Sequence, residues 1–583
     1  MKKTLLLVAT AVMACVSAFG QWNSNPAENL LAWPDDKSFY YEEMGMTPDG
    51  GVWIAVNHPV NGRICTSLQL VDSLGNLKFE EPLLVSDYDT RSWTSCGQIL
   101  FVDRDGNAIV SVNDFRYNDG PGEYENHSVY KISPEGEFLW GEDGITLEGE
   151  EVHDLVAAMN ICQLSDGSYV FAWMHNRANG DYNMMTIEMQ RVSPDGEMLW
   201  NAEDVRLYDE KISYLYPYVV DGGNNQVILL YAKGSGQELL ARKLDFDGTP
   251  VWSKDTRVYN AGFGSIPIWT ILDVHPSGDG GLIVSWNDDR YYTNVESVYM
   301  AYVKPNGELG FTSENGQILG LMGWRSLHAR CQYDKASDAF YAIWEECSSG
   351  QSWNRLVAQK ISKEGELLWG EEALELKPME QTDYGYFSIQ NGPENEVAFF
   401  YMQNYSGSFG DVEAFVTTVN YNDTTIRRQS EFTKSDRVSE KTSLVSSPMY
   451  DGKYWIAMFE DNGASFEEKK IDRIKLQRIN ADFTLGNPNG DQAVEGVQAD
   501  ANTFMALATL VDGEAMFVAN MNAATQATLA IYDINGALVA TPFDGVLAAG
   551  KQYIEWNANV PAGIYLATLT TANGVETVKI LVK

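Results

Sequence analysis

Acidic and aromatic residues cluster in segments of variable length between more regular stretches of the chain. Asp114-Phe-Arg-Tyr-Asn-Asp-Gly-Pro-Gly-Glu-Tyr124 is the longest, followed by Arg290-Tyr-Tyr292, Ser349-Gly-Gln-Ser-Trp353 and Tyr405-Ser-Gly-Ser-Phe409. Variable connections on a rigid scaffold are where binding usually resides. Asp114, Arg116, Arg290, Tyr292, Trp353 and Tyr405 are therefore the candidate binding residues, for a protein or a glycan, with unselected solvated loops as the alternative.

Catalytic chemistry has no comparable signature. The chain holds no G-x-S-x-G elbow, no H-E-x-x-H, no P-loop and no dinucleotide fingerprint. Its six histidines, at positions 58, 127, 153, 175, 275 and 328, show no ligand spacing. Glycoside hydrolysis needs two carboxylates at a set separation, and 81 acidic residues leave no pair singled out. Asp103-Arg-Asp105-Gly106-Asn107 and Asp245-Phe-Asp247-Gly248 are fragments of a calcium loop without its terminal Glu. No cofactor is predicted, and Ca2+ at these fragments is the one ion left open. Asp-Gly in both also suits a hairpin turn for backbone reasons.

Behind these segments lies a repeat. A turn followed by an apolar run starts at Asp49, Asp105, Asp166, Asn224, Asp279, Ser337, Glu394 and Asp451, at intervals of 56, 61, 58, 55, 58, 57 and 57 residues. Seven residues after each start come Val56, Val112, Trp173, Tyr231, Trp286, Trp344, Tyr401 and Met458, all apolar or aromatic. A second turn about 30 residues on leads to Trp140, Trp200, Trp252, Phe311 and Trp369. Runs such as Thr186 to Val192 alternate with the period of half-buried strands. Each unit reads as four antiparallel strands, A to D, with tight A–B and C–D turns on one face and variable B–C and D–A connections on the other. Eight such units fit an all-β chain with an eight-bladed β-propeller at residues 21–485, seven blades being the alternative. Trp22 lies 27 residues before Asp49, so residues 21–33 are expected to supply an outer strand to the last unit.

The strand-B ends and Leu-Trp copies resemble a W-x-D-x-R … D-G-x-x-L-W-G repeat of exported bacterial propellers. Asn113-Asp114-Phe115-Arg116, Asn287-Asp288-Asp289-Arg290, His175-Asn176-Arg177, Leu139-Trp140-Gly141 and Leu368-Trp369-Gly370 carry it. The resemblance spans roughly residues 38 to 485 and implies fold, not activity. Ser193-Pro-Asp195-Gly196-Glu-Met-Leu-Trp200 resembles the sialidase Asp-box, with the glycine one residue early and the Thr absent.

Both ends speak of export. Lys2 and Lys3 precede an apolar run, Thr4 to Val16, and Ala18-Phe19-Gly20 offers a cleavage site, so residues 1–20 read as a signal peptide. A lipobox around Cys15 is the lesser alternative. Five further cysteines, Cys65, Cys96, Cys162, Cys331 and Cys347, are odd in number and scattered, and read as buried or free thiols. Residues 486–499 form a turn-rich linker, and residues 500–583 carry the short alternating runs of a small β-sandwich. Ile531 to Gly536, Leu547 to Gly550, Pro561-Ala562-Gly563-Ile564-Tyr565 and the terminal Val578 to Lys583 resemble the type A C-terminal sorting domain of the type IX secretion system. That resemblance implies an Ig-like sandwich with Gly536, Gly550, Pro561, Gly563, Tyr565, Lys579 and Lys583 in the sorting signal. It implies the type IX machinery as a partner, delivery to the cell surface or extracellular space, and cleavage with release or attachment to surface lipopolysaccharide.

The charge sum is 41 − 81 = −40. A surface so acidic repels phosphate backbones and anionic lipid, excluding nucleic acid and membrane surfaces as main partners. The reading that follows is a monomeric, exported, non-catalytic protein- or glycan-binding propeller. A glycan hydrolase or lyase using acids at the channel, and a structural surface-layer protein, stand as alternatives.

Overall fold

The computed structural model describes residues 22–33, 41–88, 98–116, 126–147, 156–176, 185–234, 238–260, 272–291, 295–320, 325–348, 351, 353–404, 412–434, 441–461, 473–487, 503–506, 510–511, 514–521, 523–547, 550–572 and 574–583. The chain divides into two compact units, residues 1–490 and 491–583.

In the first unit strands alternate with tight turns, and the described residues form eight antiparallel sheets in chain order. Sheet 1 contains Tyr41–Met46, Val52–Val60, Arg63–Val71 and Leu83–Ser86; sheet 2 contains Leu100–Val102, Ala108–Asp114, Asn126–Ile132 and Ile145–Thr146. Sheet 3 has three strands, Val156–Gln163, Tyr169–His175 and Thr186–Val192, with one bridge from Ile187 to Leu207 where a fourth would pair. A single helical turn, Ala202–Val205, precedes that bridge. Sheet 4 is Tyr214–Asp221, Val227–Lys233, Glu238–Leu244 and Thr256–Asn260; sheet 5 is Asp273–Pro276, Leu282–Asp288, Ser297–Val303 and Gln317–Ile318. Sheet 6 is Arg325–Asp334, Ala339–Cys347, Asn354–Ile361 and Leu374–Glu380; sheet 7 is Asp383–Asn391, Glu396–Asn404, Val412–Asn420 and Ile426–Glu431. Sheet 8 takes Lys441–Ser446, Tyr454–Asp461 and Ile474–Asn480 from one end of the unit and Leu30–Leu31 from the other, Leu30 pairing with Leu476. The outer strand expected from residues 21–33 is thus in place.

The turns follow from their sequence. Asp103 accepts the backbone N–H of Asp105 and Asn107 at 2.9 and 2.8 Å, and Gly106 takes φ +87°, which glycine adopts without steric cost. The indole of Trp53, one sheet back, donates to the Gly106 carbonyl at 2.9 Å. The tryptophans of the second turn work likewise. Trp140, Trp200 and Trp252 donate to the carbonyls of Pro194, Phe246 and Pro305, each in the second turn of the following sheet. Trp22 does the same to Ser73 at 3.0 Å, linking the last sheet to the first.

Side chains alternate along each strand B, so each sheet packs one face on its predecessor and the other on its successor. Trp173, Tyr231, Trp286, Trp344 and Tyr401 are buried against the preceding sheet. Val52, Ile54 and Val56 of sheet 1 pack against Tyr454, Ile456 and Met458 of sheet 8. Met458 therefore faces forward where its counterparts face back, and Phe459 takes the rearward place with Trp455 and Ala457. A one-residue slip reverses every side chain of a strand. Here the slip arises at the turn closed by the Tyr450–Tyr454 bridge. First strands of neighbouring sheets lie side by side, sheet 8 beside sheet 1 included, so strands A are innermost. The architecture is all-β and β-propeller-like.

The second unit has a three-stranded sheet, Thr503–Ala506, Glu514–Met521 and Gly550–Asn557. Its five-stranded sheet is ordered Leu510–Val511, Gly574–Val582, Gly563–Thr571, Thr525–Asp533 and Leu538–Leu547. Phe504, Phe517, Leu529, Ile531, Trp556 and Ile580 share the core between them.

Candidate functional site

Asp114 and Arg116 stand where strand B of sheet 2 ends. Arg116 forks onto Asp114, Nε donating at 2.9 Å and Nη2 at 2.7 Å, and gives further hydrogen bonds to the Tyr130 hydroxyl and the Asp143 carbonyl, both 2.6 Å. Its guanidinium lies 4.6 Å from the ring centre of Tyr88, at the outer edge of sheet 1. Burial pushes the Asp114 carboxyl up, and the Arg116 hydrogen bond and charge oppose it. Sheet 5 repeats the arrangement. Arg290 forks onto Asp288, donates to the Asn315 carbonyl at 2.8 Å, and lies 3.7 Å from the ring of Tyr299 and 4.7 Å from that of Tyr259, on the preceding sheet. The asparagine before each aspartate reaches forward: Asn113 donates to Val156 and Asn287 to Ser326, both in the first strand of the following sheet. The Asn-Asp-x-Arg segment thus brackets three consecutive sheets, and each guanidinium nitrogen of Arg116 and Arg290 donates within the chain.

A cavity of about 270 Å3 opens beside Arg116, lined by Asp87, Tyr88, Tyr130, Phe138, Glu142 and Asp143 among others. Trp353 is 46% exposed between strands B and C of sheet 6. Tyr292 and Tyr405 lie outside the described residues.

The innermost strands hold a second constellation. The strand-A residues opposite the one preceding the rearward-facing strand-B residue (Val56, Trp173, Tyr231, Trp286, Trp344, Tyr401 and, in sheet 8, Phe459) are Glu43, Asn160, Tyr218, Asp273, Arg330, Ser388 and Val445 in sheets 1, 3, 4, 5, 6, 7 and 8. Several latch onto the next first strand. Glu43 accepts from Ile99 and Leu100 at 3.0 and 2.8 Å, Asn160 from Val219 at 2.7 Å, Asp273 from Cys331 at 2.6 Å, and the Ser388 hydroxyl meets that of Ser446. Tyr218 and Arg330, flanking Asp273 on the two adjoining sheets, make no such latch among the described residues. His275, two residues along and on the Asp273 side of the strand, places Nε2 3.1 Å from Asp273 Oδ1.

Charge couples these four groups. Burial pushes the Asp273 carboxyl up, but His275, Arg330 and the Cys331 N–H outweigh it and hold it below the ordinary range. Burial pushes His275 down, and the charge and hydrogen bond of Asp273 outweigh it and hold the imidazole above its ordinary value. Burial, then Asp273, raise the Tyr218 phenol, with Arg330 opposing. Two residues before this level the strand bulges. Ala158, Tyr216, His328, Tyr386 and Ser443 take φ between 52° and 60°, each at a register shift of strand A. Bulges of this kind re-aim side chains. Tyr386 is 47% exposed, and His328 Nδ1 lies 3.7 Å from Glu345.

A carboxyl pair lies where sheet 8 meets sheet 1. Burial, then the neighbouring Glu460, push Glu42 up to about 8, and burial alone pushes Glu43 up to about 8 against its two backbone hydrogen bonds. Glu42 and Glu460 are in hydrogen-bond contact. A glycosidase pair stands about 5–10 Å apart, so this contact suits proton sharing rather than acid and nucleophile roles.

Among the described residues no group of three His, Cys, Asp or Glu side chains could hold a metal ion. The calcium-loop fragments use their oxygens in the turn: Asp103 also accepts from Asn107 at 2.8 Å and from Tyr169 at 2.7 Å, and Asp247 accepts from Thr249. These residues do not fit a calcium site.

In the second unit Gly536, φ +83°, ends a turn in which Asp533 accepts from Asn535 and Ala537, both at 2.8 Å. Tyr565 is buried and its hydroxyl donates to the Pro561 carbonyl at 2.8 Å, while Gly550 and Gly563 each begin a strand. Lys579 and Lys583 are exposed.

No family model matches the chain, and no curated protein matches it. Among solved structures, a polysaccharide lyase acting on ulvan has a TM-score of 0.38 at 9% identity, over 79% of this chain and 96% of that one. The alpha-L-arabinanase of Penicillium chrysogenum gives 0.33 at 13% identity, over 58% and 98%. A eukaryotic initiation factor gives 0.39 at 10%, over 79% and 89%. Likeness of this degree carries no argument about activity or ligand.

Proposed function

We propose that this chain is an exported, non-catalytic eight-bladed β-propeller that binds a protein or glycan at the cell surface or in the extracellular space. Residues 21–485 form the propeller, residues 486–499 the linker and residues 500–583 an Ig-like sorting sandwich. The pairing of Leu30–Leu31 with sheet 8 and the packing of sheet 8 on sheet 1 support a closed ring of eight. The sequence resemblance supports delivery of the chain as a monomer by the type IX secretion machinery after removal of residues 1–20. Attachment to surface lipopolysaccharide after loss of the sandwich is its expected sequel.

The observation that carries binding is the convergence of Tyr218, Asp273, His275 and Arg330 from three consecutive innermost strands. A scaffold needs only the latches that the other sheets make there. Screening the full chain against glycan arrays and extracellular proteins tests the proposal, and failure to capture any ligand contradicts it.

The same four groups favour a second reading, a glycan lyase or hydrolase, because a histidine oriented by a carboxylate beside a phenol can move protons. Release of shortened or unsaturated products from a bound glycan distinguishes the two.

A further inference from the structure

The valences that this cluster leaves open are donors. Asp273 has both oxygens engaged, Oδ2 by the Cys331 N–H and Oδ1 by His275. The Arg330 guanidinium spends Nη1 on the Ala329 carbonyl at 2.9 Å. Its other N–H groups, of five in a guanidinium, make no hydrogen bond or ion pair among the described residues. The Tyr218 hydroxyl also makes no hydrogen bond among them, although both residues are partly exposed. The Arg330 guanidinium keeps a fixed positive charge beside these open donors, in a chain of net charge −40, and Asp273 holds the His275 imidazole above its ordinary value. Open donors with positive charge call for an anionic acceptor of planar, bidentate geometry. Tyrosines recur on the neighbouring first strands. Tyr216 stands two residues before Tyr218, and Tyr386 two before Ser388, both on left-handed bulges near the D–A connections. A pyranose offers such rings a broader C–H face than the short methylene stems of an acidic peptide.

We propose that Arg330, His275 and Tyr218 form a subsite for the carboxylate of an acidic saccharide, a hexuronate unit of an extracellular glycan. The inference rests on the binding function proposed above and adds the chemistry of the ligand. Arg330 takes the carboxylate as a fork, Tyr218 donates to one of its oxygens, and Asp273 holds His275 in place.

Titration calorimetry on the full chain tests this with hexuronate oligosaccharides (galacturonate, glucuronate and mannuronate trimers), their methyl esters, neutral hexose trimers and a Glu-rich peptide. The expected result is binding of at least one hexuronate, with its ester and neutral counterpart about tenfold weaker or worse. Arg330→Gln should lose about tenfold or more, and Tyr218→Phe a smaller factor, with unchanged circular dichroism and melting. His275→Gln serves if Arg330→Gln does not fold. Equal binding of the ester or neutral sugar overturns the carboxylate subsite and leaves the binding function standing. Binding of the peptide alone, of no hexuronate at all, or of hexuronate unchanged by these substitutions overturns it too.

Discussion

The indole N–H of Trp22 donates to the backbone carbonyl of Ser73 at 3.0 Å, joining the strand that completes sheet 8 to the second turn of sheet 1. Trp22 is 4% exposed and packs with Trp33, Val71 and Tyr454. Trp140, Trp200 and Trp252 make the equivalent bond between consecutive sheets, so Trp22 is the copy at the seam between the last and first sheets of the first unit.

Trp22→Ala should therefore destabilise the first unit by about 3–5 kcal/mol, and Trp22→Phe, which keeps most of the ring but loses the donor, by about 1 kcal/mol. Denaturant unfolding monitored by the remaining tryptophans measures both. Equal stability of Trp22→Ala and wild type would show that the seam does not depend on this residue.

The Asp114–Arg116 bracket should behave as a buried ion pair. Asp114→Ala strands a guanidinium that is almost fully enclosed, and a loss of about 3–5 kcal/mol is expected. Asp288→Ala should match it in sheet 5. Ligand binding at temperatures where both variants remain folded should be little changed, because neither bracket contributes to the innermost cluster. A selective loss of binding would instead return these residues to a ligand role.

Stability should fall as pH rises. Glu42 and Glu43 have folded values of about 8 against an ordinary value of 4.5, so the folded chain binds more protons than the unfolded one between those limits. Their contribution is complete below about pH 4.5 and lost as pH passes 8. The melting temperature should decline across this window, and Glu42→Gln with Glu43→Gln should flatten the decline. A melting temperature rising from pH 5 to 8 in wild type, parallel to the double variant, would contradict the assignment.

Removal of residues 500–583 should leave the remaining chain in the periplasm, detected by cell fractionation and immunoblotting. Appearance of the truncated chain in the medium at wild-type levels would contradict a sorting role for the second unit.

The repeat was legible because its turns are local chemistry. Asp-Gly and Asn-Gly fix φ and the hairpin within four residues, and the apolar or aromatic residue seven positions on follows from strand alternation. The slip in sheet 8 was not legible: residue counting places Met458 with Trp173 and Tyr401, whereas the turn around Tyr450 and Tyr454 turns Phe459 rearward instead. The Asn-Asp-x-Arg segments were legible as a motif but not in use, since Tyr88 and Tyr259, which complete the stacks, come from the preceding sheet. The innermost cluster lay hidden for a related reason. Tyr218 and Asp273 each fall six residues before their turn and Arg330 seven, yet a tyrosine, an aspartate and an arginine share no residue type for a repeat to reveal. Register, not composition, is the signal that finds them.

The most direct test of the binding function compares the full chain with the double variant Tyr218→Phe, Arg330→Gln on one panel of acidic glycans, neutral glycans and extracellular proteins. A ligand held by wild type and lost by the folded variant is the predicted result. Ligands retained equally by both, or captured by neither chain, would contradict a binding site at the innermost strands.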